Sequence, residues 1–99
     1  MKKYWRLSVK RVYVDVVADL FHVGHVRLFK RAKKEGDYLM VGVHSDKTTA
    51  LYKRVPYIPQ EQRYEMVKSC RYVDEVIEDA PTEITEEFLN KYNIDLVIH

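Results

Sequence analysis

The amino-acid sequence predicts an α/β fold in which helices cover both faces of an open parallel sheet. Four short apolar runs alternate with segments of helical spacing, and this alternation is typical of parallel strands joined by right-handed crossovers. The predicted strands are residues 12–17, 38–44, 73–77 and 96–98. With 99 residues and a hydrophobic content of 46%, the chain is long enough for one small domain and too short for two.

Three helices are predicted between these strands. The first covers residues 26–34 and is expected to end at Gly36, because glycine is favoured just after a helix. The second covers residues 61–69. The third follows Thr85, a good N-cap residue, and runs to about residue 92.

Two segments carry no predicted helix or strand. Residues 47–60 contain two prolines and no sustained periodicity, so we expect a surface loop at the sheet edge where α/β proteins carry their sites. Residues 1–10 are polar and irregular, and we treat them as an N-terminal extension of unassigned structure. The predicted domain therefore covers residues 11–99.

Composition and charge exclude several classes of function. The net charge of +2 is spread over interleaved acidic and basic residues, so no basic stripe predicts a nucleic-acid partner. No apolar run is long enough to span a membrane, and the N-terminus lacks the apolar core of a signal peptide, so we expect a cytoplasmic protein. The single cysteine, Cys70, is expected to be a half-buried thiol.

Residues 21–25, Phe-His-Val-Gly-His, lie where the first predicted strand passes into the first predicted helix. Two imidazoles three residues apart, His22 and His25, therefore meet at a helix N-terminus, where free backbone N–H groups and the helix dipole favour an anion. Gly24 between them permits close approach of the backbone to that anion. The alternative is that His22 only caps the helix while His25 faces solvent.

This junction and the sequence after it resemble the HxGH cytidylyltransferases. The segments that carry the resemblance, in family order and at about family spacing, are VYVD (12–15), DLFHVGH (19–25), GDYLMVGVHSD (36–46), Lys53, EQR (61–63), CRYVDEV (70–76) and AP (80–81). The resemblance covers nearly everything from residue 11 onward and is strongest toward the phosphoethanolamine and phosphocholine enzymes. It implies a Rossmann-like fold of the HxGH nucleotidyltransferase type.

The resemblance also implies an activity: transfer of a cytidylyl group from CTP to a phosphoalcohol, most of all one like phosphoethanolamine, giving a CDP-alcohol and pyrophosphate. The cofactor would be Mg²⁺ held mainly by the triphosphate, since the sequence has no cluster of oxygen ligands dedicated to a metal. Partners would be CTP, the small phosphoalcohol and a second copy of the chain in a homodimer.

The family's functional residues map onto this chain as follows. Catalytic residues would be His22, His25 and Lys53; nucleotide-binding residues would be Val17, Ala18, Phe21, His22, Gly24, His25 and Arg63; substrate-binding residues would be Asp15 and Lys53.

Several of these residues keep a second interpretation. The alternative for Lys53 is an exposed loop lysine without a role in the site, and Arg63 would lie near the phosphates or near a subunit contact. Asp19 is expected to order the turn before His22 by bonding local backbone N–H groups. His44 is as well suited to lining the site as to filling a gap.

Three departures from the family pattern affect these expectations. Val16 stands where the family has Gly, and its side chain would crowd the approach to phosphate. Thr82 stands where the phosphocholine enzymes have an aromatic residue, which disfavours choline. The family continues past residue 99 with further nucleotide-binding segments, so we expect this truncated chain to be nearly inactive.

Three alternatives to this function remain open from the sequence. The same chemistry would serve another acceptor, such as an aminoalkyl phosphonate or glycerol 3-phosphate, or would use ATP in place of CTP. A non-catalytic module that binds nucleotide weakly and dimerises would keep the same fold.

Overall fold

The computed structural model describes residues 9–99, which form four strands and four helices. The strands are β1 (Arg11–Val16), β2 (Tyr38–Val43), β3 (Glu75–Glu78) and β4 (Leu96–Val97). The helices are α1 (Val23–Lys33), α2 (Asp46–Tyr52), α3 (Gln60–Lys68) and α4 (Glu86–Lys91).

All strand pairs are parallel, and the strand order is β3-β2-β1-β4. Strand β1 pairs with β2 from Arg11 opposite Tyr38 to Val16 opposite Val43. The connection from β3 to β4 passes across to the far side of β1, so the chain changes direction beside β1. In open parallel sheets, ligands bind outside the carboxyl ends of the strands at such a change of direction.

Helices cover both faces of the sheet, as the sequence predicts. On one face the strands pack against α1 and α3 through a buried group that includes Val14, Val41, Phe29 and Val67. On the other face a smaller group surrounds Tyr13, Met40 and Ile77, with Phe88 of α4 and the C-cap residue Tyr92 packed against it. Successive residues of a strand point to opposite faces, and for that reason β1 supplies both groups.

Helix α1 begins at Val23, three residues earlier than the sequence predicts, and ends at Lys33. Gly36 does not end this helix as the predicted C-cap glycine would. The C-cap residue is Lys34, and no glycine among residues 9–99 has the positive φ angle of such a cap. A Cβ at Gly36 would lie 2.5 Å from Val12 Cγ2 and 2.9 Å from the Lys10 carbonyl oxygen. Gly36 therefore lets the chain pass close to β1 as it enters β2.

The prediction of a loop over residues 47–60 is wrong for its first half, which belongs to α2. The Ser45 side chain accepts a hydrogen bond from the Thr48 backbone N–H at 3.1 Å and so caps this helix. Helix α2 has seven residues and buries only Thr49, so it has no periodic apolar face for a sequence pattern to detect. Residues 53–59 carry no helix or strand, as predicted.

The last two elements agree closely with the prediction. Thr85 caps α4 by accepting from the Phe88 backbone N–H at 3.1 Å, and β4 follows at Leu96. Strand β3 begins at Glu75, two residues later than predicted. Of the predicted N-terminal extension, residues 1–8 lie outside the described part of the chain. Within residues 9–99, no helix has the length and apolar character needed to cross a membrane.

Candidate functional site

The turn between β1 and α1 has an unusual backbone. Ala18 and Leu20 adopt left-handed conformations, with φ angles of 59° and 53°, although neither is a glycine. Each such residue costs about 1–3 kcal/mol and persists where the surrounding structure holds it in place. The turn is therefore fixed by contacts elsewhere in the molecule.

Asp19, between these two residues, supplies those contacts. Its carboxylate accepts hydrogen bonds from the backbone N–H groups of Tyr57 and Ile58, both at 3.0 Å, and from Arg54 at 3.2 Å. Burial would raise the pKa of Asp19, but the two backbone N–H groups and Arg54 outweigh burial and lower it. The role is structural, as predicted, but the partners are not local. Asp19 joins the turn to the segment after α2.

The two histidines form a reciprocal cap at the start of α1. His22 is the N-cap residue, and its Nδ1 accepts from the Gly24 backbone N–H at 2.9 Å. His25 returns the arrangement, since its Nδ1 accepts from the His22 backbone N–H at 3.1 Å. A Cβ at Gly24 would lie 2.6 Å from His22 Cε1, so a glycine is required for the His22 ring to fold over the helix end.

This cap determines the tautomer of both rings. Because each Nδ1 accepts a hydrogen bond, the proton of each neutral imidazole is on Nε2. Neither Nε2 bonds to another of residues 9–99, and the ring centroids are 4.4 Å apart. Two N–H donors are thus available side by side at the N-terminus of α1, where the helix dipole favours an anion.

The surroundings of His25 favour its neutral form. Partial burial and the neighbouring His22 lower the pKa of His25. Phe21 stacks on the His25 ring with centroids 5.3 Å apart and planes 13° from parallel. The helix cap and the anion site, which the sequence presents as alternatives, are therefore compatible. His22 and His25 cap the helix through Nδ1 and keep Nε2–H available as a donor.

Arg63 lies behind this edge of the sheet and is fully buried. Its guanidinium donates to the backbone carbonyls of Val17 at 2.6 Å, His44 at 2.8 Å and Ile58 at 2.8 Å. It also pairs with Asp46 at the start of α2, at 2.7 Å. In this arrangement Arg63 joins the ends of β1 and β2 to α2, and its polar atoms face protein groups.

Lys53 is exposed and follows the last residue of α2. The residues on either side of Lys53 make specific contacts in the structure. Tyr52 lines a cavity at the sheet edge, and Arg54 pairs with Asp19 in the turn before His22. Lys53 therefore lies on a segment that is anchored at both ends, with its ammonium in solvent.

A cavity of about 680 Å³ opens beside the carboxyl ends of the strands. Its lining combines two carboxylates, an imidazole, the hydroxyls of two threonines and a tyrosine, and contains no lysine or arginine: Asp15, His44, Thr48, Leu51, Tyr52, Pro81, Thr82 and Glu83. Two negative charges without a cation among the lining residues make this cavity attractive to a positively charged group.

His44 is the most buried polar residue of this lining, at 8% exposed. Its Nδ1 shares a hydrogen bond with the Tyr52 hydroxyl, and its Nε2 lies 3.5 Å from Asp15 Oδ2. Burial, followed by the charge of Asp15, raises the pKa of Tyr52, so this hydroxyl stays protonated. The sequence pattern alone does not indicate Tyr52 or Glu83 as site residues. Tyr52 lies in the segment that was predicted to be a loop, and Glu83 follows Thr82 but belongs to no recognisable motif.

The remaining predicted residues are placed as follows. Val17 is half-buried and contributes its carbonyl to Arg63, and Ala18 is buried in the core. Val16 packs its side chain against the core under α1 and α3. Thr82 is exposed at the cavity rim. Among residues 9–99, no three His, Cys, Asp or Glu side chains converge as metal ligands would.

The strand order, the helices on both faces and the strand-to-helix junction with its capped N-terminus define a Rossmann-like α/β protein. A family model described as cytidylyltransferase-like matches residues 14–99. The chain belongs to this family, and the resemblance seen in the sequence is confirmed.

Curated relatives agree with this assignment. An ethanolamine-phosphate cytidylyltransferase of Dictyostelium discoideum is 44% identical over 89 residues, covering 90% of this chain and 25% of the relative. Choline-phosphate cytidylyltransferase 2 of Arabidopsis thaliana is 46% identical over 91 residues, covering 90% of this chain and 30% of the relative. The chain thus spans about a quarter to a third of these relatives' length.

Among solved structures, the chain is similar to a lipopolysaccharide core biosynthesis protein from Thermoplasma volcanium GSS1. The TM-score is 0.81 with 26% sequence identity, and the match covers 91% of this chain and 73% of that one. The Rossmann-like fold extends over nearly the whole chain in this comparison.

Proposed function

We propose that this domain transfers a cytidylyl group from CTP to a phosphoalcohol resembling phosphoethanolamine, releasing pyrophosphate. The observation that carries the proposal is the pair of Nε2–H donors that His22 and His25 present at the N-terminus of α1. The names of the relatives, ethanolamine-phosphate and choline-phosphate cytidylyltransferases, support the same chemistry.

In the proposed reaction, a phosphate oxygen of the acceptor attacks the α-phosphorus of CTP. The new O–P bond forms as the bond from the α-phosphorus to the bridging oxygen breaks, and that oxygen leaves with pyrophosphate. Negative charge grows on the non-bridging oxygens and on the leaving group, so fixed donors stabilise the transition state. Because His22 and His25 already hold their tautomers through the cap, they need no reorganisation when the charge develops.

Lys53 would add a positive charge over the phosphates from its solvent-facing position. We also propose that Mg²⁺ arrives bound to the triphosphate and neutralises part of its charge. The described residues offer no three-ligand site for the ion, so no protein group is assigned to it.

The acceptor is proposed to lie between the histidines and the cavity that Asp15 lines. A phosphoamine carries a negative charge at one end and a positive charge at the other. The N-terminus of α1 suits the phosphate, and the carboxylates of Asp15 and Glu83 suit the amine. The exposed Thr82 at the rim supplies no aromatic face for a quaternary ammonium.

We propose that the protein works in the cytoplasm without a nucleic-acid partner and as a homodimer. A sheet of four strands has two open edges, and pairing or packing with a second copy is a common way to protect such edges.

Pyrophosphate release tests the reaction. The assay would offer CTP or ATP with phosphoethanolamine, phosphocholine, glycerol 3-phosphate or 2-aminoethylphosphonate. In an active form, extended at its C-terminus by the family's further nucleotide-binding segments, we expect release with CTP and phosphoethanolamine, and a loss of at least about 100-fold in His22→Ala and His25→Ala. Lys34→Ala, at an exposed residue that follows the opposite end of α1, is the control. CTP binding by the extended form without release under any combination would indicate a non-catalytic module instead.

A further inference from the structure

Charge is distributed unevenly around the candidate site. Residues 20–34, which lead into α1 and form it, contain five lysines and arginines and no carboxylate. Residues 75–87, which run from β3 to the start of α4, contain six carboxylates and no lysine or arginine. An anion at the carboxyl ends of the strands is therefore drawn toward α1 and repelled from the cavity that Asp15 and Glu83 line.

Three cations on α1, Arg27, Lys30 and Arg31, are not neutralised within the chain. All three are exposed, and none forms an ion pair with a carboxylate among residues 9–99. Residues 1–8 contain no Asp or Glu that could pair with them. Lys33, by contrast, is paired with Asp74. The three cations therefore attract any anion that approaches α1.

Their side chains lie on one face of α1, since positions three and four residues apart are neighbours on a helix. The buried residues Phe29 and Ala32 lie on the opposite face. Side chains of a helix lean toward its N-terminus and each residue adds about 1.5 Å, so the three charges lie on the order of 10 Å from an anion held there. This separation is too long for a hydrogen bond but is about one Debye length at 0.1 M salt.

We infer that Arg27, Lys30 and Arg31 guide polyphosphate from a distance to the N-terminus of α1, and that they favour a triphosphate over a monophosphate by charge alone. This role rests on the proposed nucleotide site at His22 and His25. It belongs to residues outside that site, which determine how strongly the site attracts its ligand.

Long-range attraction and direct contact respond differently to salt and to ligand charge. The Nε2–H donors of His22 and His25 act only at hydrogen-bond distance. A cation about 10 Å away should raise the affinity for a triphosphate roughly two- to threefold at 0.1 M salt, and three cations together should raise it about tenfold. This gain is smaller for a less charged ligand and disappears at 1 M salt, where the Debye length is about 3 Å.

The first test uses the unmodified chain and inorganic ligands. Phosphate, pyrophosphate and tripolyphosphate would be titrated without Mg²⁺, and the ring signals of His22 and His25 would be followed by NMR. Because these ligands contain no nucleoside, they test the phosphate site alone. We expect affinity to rise with ligand charge at about 0.1 M NaCl and the differences to narrow at about 1 M. Equal affinities at the lower salt concentration, or no change in either histidine, would overturn the inference.

Variants assign the attraction to particular cations. Arg27→Gln/Lys30→Gln/Arg31→Gln should bind tripolyphosphate about tenfold more weakly than the unmodified chain at 0.1 M salt, and equally well at 1 M. Glutamine has a high helix propensity, so the fold should persist, and circular dichroism checks it. If this variant does not fold, the single variants decide.

The matched control removes three cations at the other edge of the sheet. Lys68, Arg71 and Lys91 are exposed and lie where α3 and α4 end, before the strands that follow them. Lys68→Gln/Arg71→Gln/Lys91→Gln has the same net charge as the α1 variant but should change tripolyphosphate affinity by less than about twofold. An equal loss in the two triple variants would indicate a response to net charge alone and would refute the role of α1.

Single variants distinguish guidance from direct contact. Arg27→Gln, Lys30→Gln and Arg31→Gln should each weaken binding by about two- to threefold, with losses that multiply to that of the triple variant. A single variant that loses as much as the triple variant, and keeps that loss at 1 M salt, would place its side chain on the phosphate. That result would overturn action at a distance.

Failure of this inference can be distinguished from failure of the proposed function. Charge-dependent binding of tripolyphosphate, without pyrophosphate release by the C-terminally extended form, would retain the role of the cations and remove the reaction. Release of pyrophosphate, together with equal tripolyphosphate affinity in the two triple variants, would retain the reaction and remove the role of the cations.

Discussion

Replacing Arg63 by methionine tests whether this residue holds the site together or binds a phosphate itself. The guanidinium is fully buried and makes four hydrogen bonds, three to backbone carbonyls and one to Asp46. Methionine has a similar length but no donor. The carbonyls of Val17, His44 and Ile58 would therefore lose a shared partner.

The magnitude follows from what is left unpaired. Removing one partner of a buried charge pair costs about 3–5 kcal/mol. Because the Asp46 side chain is 40% exposed, water would compensate part of its charge, and we adopt the lower end, about 3 kcal/mol. In a domain of about 100 residues, 1 kcal/mol corresponds to about 4–8 °C, so Arg63→Met should lower Tm by about 12–24 °C.

Urea unfolding followed by circular dichroism measures this change directly. Arg71→Met, which removes an exposed arginine, is the control and should change the stability by less than about 0.5 kcal/mol. A loss of less than about 1 kcal/mol in Arg63→Met would refute the structural role. A stable variant that no longer binds CTP would instead place Arg63 in contact with the nucleotide.

Four further predictions concern the site and the assembly. In an active, C-terminally extended form, His25→Ala should lower turnover about 10²- to 10³-fold but stability by only about 1 kcal/mol, the value of a lost cap; a turnover loss below threefold would remove His25 from the site. Lys53→Ala should weaken substrate affinity and turnover, with partial rescue by Lys53→Arg, and unchanged kinetics would exclude an electrostatic role. An NMR titration should find the pKa of His25 below the ordinary value near 6.5, so the stability contributed by its neutral form is complete above that pH and falls as the pH drops toward the lowered pKa; a higher value would contradict the neutral cap. Sedimentation should show a dimer, and a monomer at tens of micromolar would contradict it.

The fold was predictable because its signals are local and repeated. Each strand is a short apolar run, and each predicted helix is marked by a helical spacing of apolar residues or by a favourable N-cap residue. Helix α2 was missed because its stability comes from distant contacts. Asp46 pairs with Arg63, and the backbone N–H of Asp46 donates to the Gln60 side chain at 2.8 Å. Neither contact leaves a periodic pattern in the sequence.

The same distinction applies to the site. The motif of residues 21–25 was sufficient to place His22 and His25 at a helix N-terminus, because the two histidines themselves form the cap of that helix. The direction of their free nitrogens was not predictable, because it depends on which backbone N–H each ring meets. The resemblance to the family indicated Lys53 and Asp15 as site residues, but it did not indicate which residues either of them contacts.

By itself the sequence determined the succession of four strands and three of the four helices, the family, and the junction that places two histidines at a helix N-terminus, because these depend on residues within a few positions of one another. Only the tertiary structure decided the rest. It bonded Asp19 to the backbone of Tyr57 and Ile58, which lie 38 and 39 positions later in the chain. It also buried Arg63 against three backbone carbonyls and placed His44, Tyr52 and Asp15 around one cavity. Parallel strands bring distant residues to the same edge, and the contacts made there depend on packing that no single segment encodes.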